Sequence, residues 1–185
     1  MAVKSCEQHW DRCAAIRETW GSSPLVQFFN GNFLGVRDEY EYLPSKTNAI
    51  CRWAIRKGHE AIFLCDTDTY VALPRLLLVD RLPYTGYKLE GKNYASGGAG
   101  YLLCGEALEA VAEAEVDPNY YLYEDKMVGE VCENAGIEFV HDPRFSLYQD
   151  VLPDNEVISR HLSSRKPFEI PMMHLAHRRF LDRRD

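Results

Sequence analysis

The chain has 185 residues, of which 46% are hydrophobic. That length suits one domain with a substantial core, so we expect a single domain over residues 1–185, with further domains after it left open. The net charge of −7 argues against a broad basic surface for nucleic acid. No apolar stretch approaches the roughly 20 residues that a membrane-spanning helix needs. We therefore expect neither nucleic-acid binding nor a membrane span in this chain.

The first half of the sequence alternates short apolar strands with amphipathic helices. A helix period and a terminating glycine mark each predicted helix, and continuous apolar runs mark the strands. The predicted segments are a strand at residues 2–4, a helix at 8–20, a strand at 25–29, a helix at 44–57 and a strand at 61–65. The last strand is apolar throughout, which is typical of a strand buried on both faces of a parallel sheet. This order predicts an α/β domain with a mostly parallel central sheet flanked by helices.

The second half is less regular. Residues 74–92 form a mixed stretch, and residues 94–104 predict a strand-like segment centred on glycines. Two helices are predicted at residues 106–114 and 124–134, and the charged end of the chain, residues 177–185, is compatible with a third.

Two acids follow the buried strand directly, in Asp66-Thr67-Asp68. Ligands of open α/β sheets bind at the carboxyl ends of strands, so we expect these acids to face a site. Two carboxylates this close repel each other, and beside an anionic diphosphate they suit Mg²⁺ or Mn²⁺. The alternative is a turn in which these side chains only bind nearby backbone amides.

Five ordered motifs between residue 3 and about residue 141 carry a resemblance to a known family. They are Val3-Lys-Ser5 with Arg12 and Ile16-Arg-Glu-Thr-Trp-Gly21, Asp38-Glu-Tyr-Glu-Tyr-Leu-Pro-Ser-Lys-Thr47, Asp66-Thr-Asp-Thr-Tyr-Val71, Ser96-Gly-Gly-Ala-Gly-Tyr101 and Tyr123-Glu-Asp-Lys-Met-Val-Gly129. In this order they resemble glycosyltransferase family 31 and the Fringe-like group.

The resemblance implies a GT-A fold and the transfer of a sugar, with inversion, from a nucleotide-diphosphate sugar to a glycan hydroxyl. We expect the donor to be a UDP-sugar and the cofactor to be Mn²⁺ or Mg²⁺. Asp68 matches the family's metal ligand, and Asp66 is expected near the ribose or a metal-bound water. Asp125 matches the general base, and its neighbour Glu124 is the fallback, because only one of two adjacent residues at a helix start points into the cleft. The structural alternative for both acids is a favourable interaction with the helix dipole.

Other residues of the motifs are candidates for the donor site. Thr67 belongs to the acidic motif, and Arg12 and Arg17 on the first helix suit a diphosphate through their fixed donor geometry, although helix arginines often face solvent. Gly97 and Gly98 would let the backbone approach donor and acceptor closely, or they form a bulge that turns the sheet.

The family's usual histidine segment is not matched, because this chain reads Arg144-Phe145-Ser146 at that place. A later segment of some relatives is similar to residues 170–177, which makes His174 the predicted third metal ligand. His177 and His141 are the alternatives, and a site without histidine is also open. In this interpretation a tail from Phe168 to His177 folds back over the cleft and is anchored by burial of Ile170, Met172 and Met173.

Two alternatives to the enzyme remain open. One is a binding module for glycans or nucleotide sugars with the same fold, and the other is a metal-dependent phosphohydrolase. Six cysteines without a CxxC pair predict buried free thiols, and no Asn-x-Ser/Thr sequence occurs. These features predict a cytoplasmic protein. The Golgi lumen, where animal relatives reside behind an N-terminal anchor, is the alternative.

Overall fold

The structure is a computed structural model that describes residues 1–117, 119–147, 155–162 and 170–181. Its strands are β1 (Ala2–Lys4), β2 (Gln27–Phe29), β3 (Ala61–Asp66), β4 (Thr69–Val71), β5 (Tyr84–Gly86), β6 (Tyr101–Cys104), β7 (Phe139–His141), β8 (Phe145–Ser146) and β9 (Ser159–His161). Its helices are α1 (Trp10–Glu18), α2 (Gly31–Leu34), α3 (Leu43–Arg56), α4 (Leu73–Leu76), α5 (Glu106–Glu113), α6 (Glu124–Asn134) and α7 (Ile170–Leu181). Within the described ranges, no helix combines the length and apolar character needed to cross a membrane.

The central sheet has six strands in the order β2-β1-β3-β6-β5-β7. Strand β1 is parallel to β2 and β3, and β5 is parallel to β7. Strand β6 is antiparallel to both of its neighbours, β3 and β5. Five strands therefore run in one direction and one in the other, which confirms the predicted mostly parallel sheet.

Strand β3 contributes side chains to both hydrophobic clusters of the core. Ile62 and Leu64 pack into a cluster on the α3, α5 and α6 face, whereas Phe63 and Cys65 pack into a second cluster with α1 and α7. Successive side chains of a strand point to opposite faces, so an apolar run of this kind is stable only when both faces are covered. Each fully buried aliphatic side chain contributes about 1.5–3 kcal/mol. The prediction of a doubly covered strand is confirmed.

A second, three-stranded sheet in the order β4-β9-β8 lies next to the end of β3. Strand β9 is antiparallel to β4, with His161 opposite Thr69, and the Leu162 amide donates to the Asp68 carbonyl at 2.8 Å. This pairing fixes the position of His161 relative to the acidic motif.

The structure differs from the sequence prediction between residues 94 and 100. Only Tyr101–Cys104 is a strand, and the glycine segment before it is a loop. Gly100 has φ of +79°, and a Cβ there would collide with the Phe63 ring. Glycine is needed at this position because the loop turns against the core.

The end of the described chain is helix α7, which packs on α1 and β4. Met173 is fully buried, and Ile170 and Met172 pack against the same cluster. These residues anchor the helix as predicted, but on α1 and β4, and no residue of α7 lines the cleft described below. All six cysteines are free thiols, and five of them are buried. Phe168, where the predicted tail begins, lies outside the described residues.

Candidate active site

A cleft of about 760 Å³ opens at the carboxyl ends of β1 and β3. This is the edge at which parallel α/β sheets bind ligands. Its walls come from the segments after β1 and β3 and from the turn before α3. They are formed by Lys4, Ser5, Cys6, Glu7, Gln8, His9, Arg12, Asp38, Glu39, Tyr40, Leu43, Lys46, Asp66, Thr67 and Asp68.

Asp68 lies in the turn between β3 and β4, where two cationic groups face its carboxylate. His161 Nε2 is 3.5 Å and Arg12 Nη1 is 3.9 Å from Asp68 Oδ2. Burial disfavours the charge on Asp68, but hydrogen bonding and attraction from His161, together with Arg12, outweigh it and lower the pKa of the carboxyl. Burial likewise disfavours the charged form of His161, but its bond to Asp68 raises the pKa of the imidazole. Asp68 therefore lines the cleft with its carboxylate held by His161 and Arg12.

Lys4 is a buried cation close to Asp66. Its ammonium contacts the Glu124 carboxylate and lies 3.4 Å from Asp66 Oδ1, while its side chain is only 1% exposed. Burial alone would lower the pKa of Lys4, but Asp66 and Glu124 raise it above the usual value. Withdrawal from solvent and the neighbouring Asp68 raise the pKa of Asp66, against the effect of Lys4. Lys4 thus joins the end of β3 to the start of α6.

Glu124 and Asp125 have different environments although they are adjacent at the start of α6. Glu124 is buried, accepts a hydrogen bond from the Tyr101 hydroxyl at 2.6 Å, and also lies within 3.4 Å of the Thr47 hydroxyl. Asp125 is partly exposed and accepts from the backbone amides of Lys126 at 2.8 Å and Gly97 at 3.4 Å. Burial and the charge of Glu124 raise the pKa of Asp125. Of the two acids, Asp125 is the one that is partly exposed to solvent.

The glycines of the loop before β6 allow close approaches by site residues. A Cβ at Gly97 would lie 2.5 Å from Glu124 Oε1, and a Cβ at Gly98 would lie 2.8 Å from the His161 ring. The Gly98 carbonyl also accepts a hydrogen bond from the Thr69 hydroxyl at 2.8 Å. The loop therefore brings α6 and β9 together around the acidic motif.

Of the three further residues predicted for the donor site, Arg12 and Thr67 line the cleft and Arg17 does not. Arg12 lines the cleft beside Asp68, whereas the Arg17 guanidinium covers the Phe28 ring at 4.3 Å and lines a separate groove. Thr67 lines the cleft, and its hydroxyl lies 3.1 Å from His9 Nδ1. The structure does not bring Arg17 to the acidic motif.

The predicted histidines are likewise directed elsewhere, and this corrects the expected geometry of the site. His174 Nε2 lies 3.5 Å from Glu18, at the far end of α1 from Arg12. His177 Nδ1 is 3.4 Å from the Tyr70 hydroxyl, and His141 Nδ1 accepts from the backbone amide of residue 88 at 3.0 Å. Helix α7 packs on α1 and β4, which places His174 near Glu18 and not beside Asp68.

Sequence reasoning missed His161, Lys4 and His9. His161 ends a three-residue strand, too short for a periodic signal, and it reaches Asp68 only through the β4-β9 pairing. Lys4 had a signal, because a lysine that ends an apolar strand at the ligand-binding edge of a sheet requires a partner.

Comparison with known proteins bears on the fold. A solved structure described as the "crystal structure of a glycosyltransferase involved in the glycosylation of the major capsid of PBCV-1" matches with a TM-score of 0.61 and 17% sequence identity. The match covers 95% of this chain and 98% of that chain. No family model matches the chain, and a search of curated proteins finds no significant similarity. The protein therefore has the fold of a solved glycosyltransferase, whereas the narrower resemblance to family 31 stays a prediction.

Proposed function

We propose that this protein is a metal-dependent, inverting glycosyltransferase that moves a sugar from a UDP-sugar to a glycan hydroxyl. The observation that carries the proposal is the Asp68–His161 pair beside Arg12 at the carboxyl end of β3. The glycine loop links this pair to a separate acid on α6, since Gly98 lies against the His161 ring and the Gly97 amide donates to Asp125. A transferase of this kind needs groups that hold the donor diphosphate and a different group that activates the acceptor.

The donor set at Asp68 suits a divalent cation shared with a diphosphate. Among the described residues, no three His, Cys, Asp or Glu side chains form a complete metal site. That arrangement is expected when substrate phosphates complete the coordination, since Mg²⁺ is usually bound by one or two carboxylates plus phosphates. We assign Asp68 and His161 as the protein ligands, with Asp66 near the ribose or a metal-bound water. When bound, the cation would neutralise charge on the leaving diphosphate.

The chain's own residues perform the remaining steps. Arg12 binds the diphosphate, and Asp125 accepts the proton of the acceptor hydroxyl. The acceptor oxygen forms a bond to the anomeric carbon from the side opposite the leaving group, and the bond to the UDP oxygen breaks with its electron pair. The raised pKa of Asp125 makes it a stronger base than an ordinary aspartate. Lys4 positions both halves of the site by holding Asp66 and Glu124.

Calorimetric titration of UDP with Mn²⁺, and again with EDTA, tests the proposal. We expect binding that needs Mn²⁺ in the parent, a large loss in Asp68→Asn and in His161→Ala, and no change in the exposed control Glu113→Gln. Metal-independent UDP binding, or equal binding by all variants, would refute the metal assignment.

Product analysis separates the three activities. Transfer to an acceptor supports the enzyme, metal-dependent binding without turnover supports a binding module, and consumption of UDP-sugar at the same rate without acceptor supports a phosphohydrolase.

A further inference from the structure

Three tyrosines surround the acid on α6, and the proposed chemistry has not yet used them. Tyr40 is 62% exposed and lines the cleft together with Asp66. Tyr123 is 54% exposed and is the residue that precedes α6, two positions before Asp125. Tyr94 is partly buried against α6, where a Cβ on Gly129 would collide with it. Tyr40 thus lies in the cleft, and Tyr123 lies at the start of the helix that carries Asp125.

Nearby acids affect the pKa of two of these tyrosines, Tyr40 and Tyr94. Desolvation and then the charges of Asp125 and Asp66 raise the pKa of Tyr40. Desolvation and then Asp125 also raise the pKa of Tyr94. The Tyr40 hydroxyl is thus within the field of both the donor-side acid, Asp66, and the acceptor-side acid, Asp125.

Tyr123 belongs to a run of exposed apolar side chains in the loop before α6. Leu122 and Tyr120, in the same loop as Tyr123, are 59% and 63% exposed. A single exposed apolar residue is ordinary, but a contiguous group beside a cleft is typical of a binding surface. Tyrosine offers an apolar face and a polar hydroxyl, which together match a pyranose ring with its C–H face and its hydroxyls.

The charges around Asp125 define the kind of sugar that fits. Asp66, Asp68 and Glu124 are each paired with a cation, so these cations are already engaged. Lys4 is buried against Glu124, Arg12 faces Asp68, and Lys126 pairs with Glu130 at 3.3 Å. On the acceptor side, Asp125 has no cation within ion-pair distance among the described residues. A carboxylate or sulfate on an incoming sugar would be repelled there.

We propose that Tyr40 and Tyr123 form the acceptor subsite and that it accepts a neutral pyranoside, with an apolar face on these rings and one hydroxyl directed to Asp125. The inference rests on the proposed function and adds the class of acceptor to it. An acidic sugar, such as a uronic acid, would be repelled by the Asp125 carboxylate.

A matched pair of probes tests this subsite: methyl β-D-glucopyranoside and methyl β-D-glucopyranosiduronic acid. Their binding is measured by saturation-transfer NMR in the presence of UDP and Mn²⁺. We expect the neutral glycoside to bind the parent protein more tightly than the acid, with the strongest saturation on ring C–H protons. Tyr123→Ala and Tyr40→Ala should each weaken its binding by about 2- to 10-fold, the range of a lost aromatic contact.

The control variant is Tyr42→Ala, in the same short turn as Tyr40 but stacked on the Arg37 guanidinium at 4.6 Å. It should bind the neutral glycoside as the parent does. Equal binding by all variants, stronger binding of the acid, or no binding of the neutral glycoside to the parent would overturn the inference. Calorimetry of UDP with Mn²⁺ separates this result from a failure of the proposed function, because Tyr123→Ala, at a residue outside the lining of the cleft, should retain donor binding.

Discussion

Replacing Lys4 with methionine is the sharpest test of the charge network under the cleft. Lys4 and Glu124 have side chains that are 1% and 7% exposed, so the substitution leaves a carboxylate in the interior without its partner. The attraction between Lys4 and Asp66 alone, at 3.4 Å, is about 5 kcal/mol for an effective dielectric constant near 20, before desolvation is subtracted. Removing one member of a buried pair typically costs about 3–5 kcal/mol, and we expect Lys4→Met to lower the free energy of unfolding by this amount.

Urea unfolding at pH 7, followed by circular dichroism, measures the effect. The control is Lys126→Met, because Lys126 is 44% exposed and pairs with Glu130 one helical turn away, so its loss should cost less than about 0.5 kcal/mol. The double variant Lys4→Met/Glu124→Gln should recover part of the loss, since it removes the uncompensated charge. A loss for Lys4→Met no larger than for Lys126→Met, or a double variant no more stable than Lys4→Met, would refute the reasoning.

Further outcomes follow from the structure. Asp125→Asn should keep Mn²⁺-dependent UDP binding in calorimetry and lower transfer by about 10²- to 10⁴-fold, and retained transfer would remove Asp125 as the base. Burial and Glu124 raise the pKa of Asp125, so kcat should fall as the pH drops through a value above the ordinary 3.8. Because the folded state disfavours the ionised carboxylate, ionised Asp125 should lower the free energy of unfolding at neutral pH. Asp125→Asn should therefore be more resistant to urea at pH 7 than the parent, and equal or lower resistance would contradict the raised pKa. Gly98→Ala should displace the His161 ring and weaken Mn²⁺-dependent UDP binding, whereas unchanged binding would separate His161 from the metal. Thiol titration of unreduced protein in denaturant should find six free thiols, and three disulfides would contradict the predicted cytoplasmic location.

The sequence alone was sufficient for the elements whose stability is decided locally or by burial on both faces. Strand β3 is readable because a continuous apolar run needs cover on both sides, and the acids that follow it must then lie at the ligand-binding edge. The helices α3 and α6 are readable because their apolar spacing and terminal signals are properties of neighbouring residues. These features placed the candidate site at Asp66 and Asp68.

Only the tertiary structure decided which side chains join those acids. Glu124 and Asp125 are equivalent in the sequence, but Lys4 and Tyr101, each from a distant strand, hold Glu124 in the interior and leave Asp125 partly exposed. His174 has the more suggestive sequence context, yet His161 reaches Asp68, because strand β9 pairs with β4 more than 80 residues earlier. Local patterns report which residues are buried, whereas the partner of a buried or catalytic group depends on contacts between segments far apart in the chain.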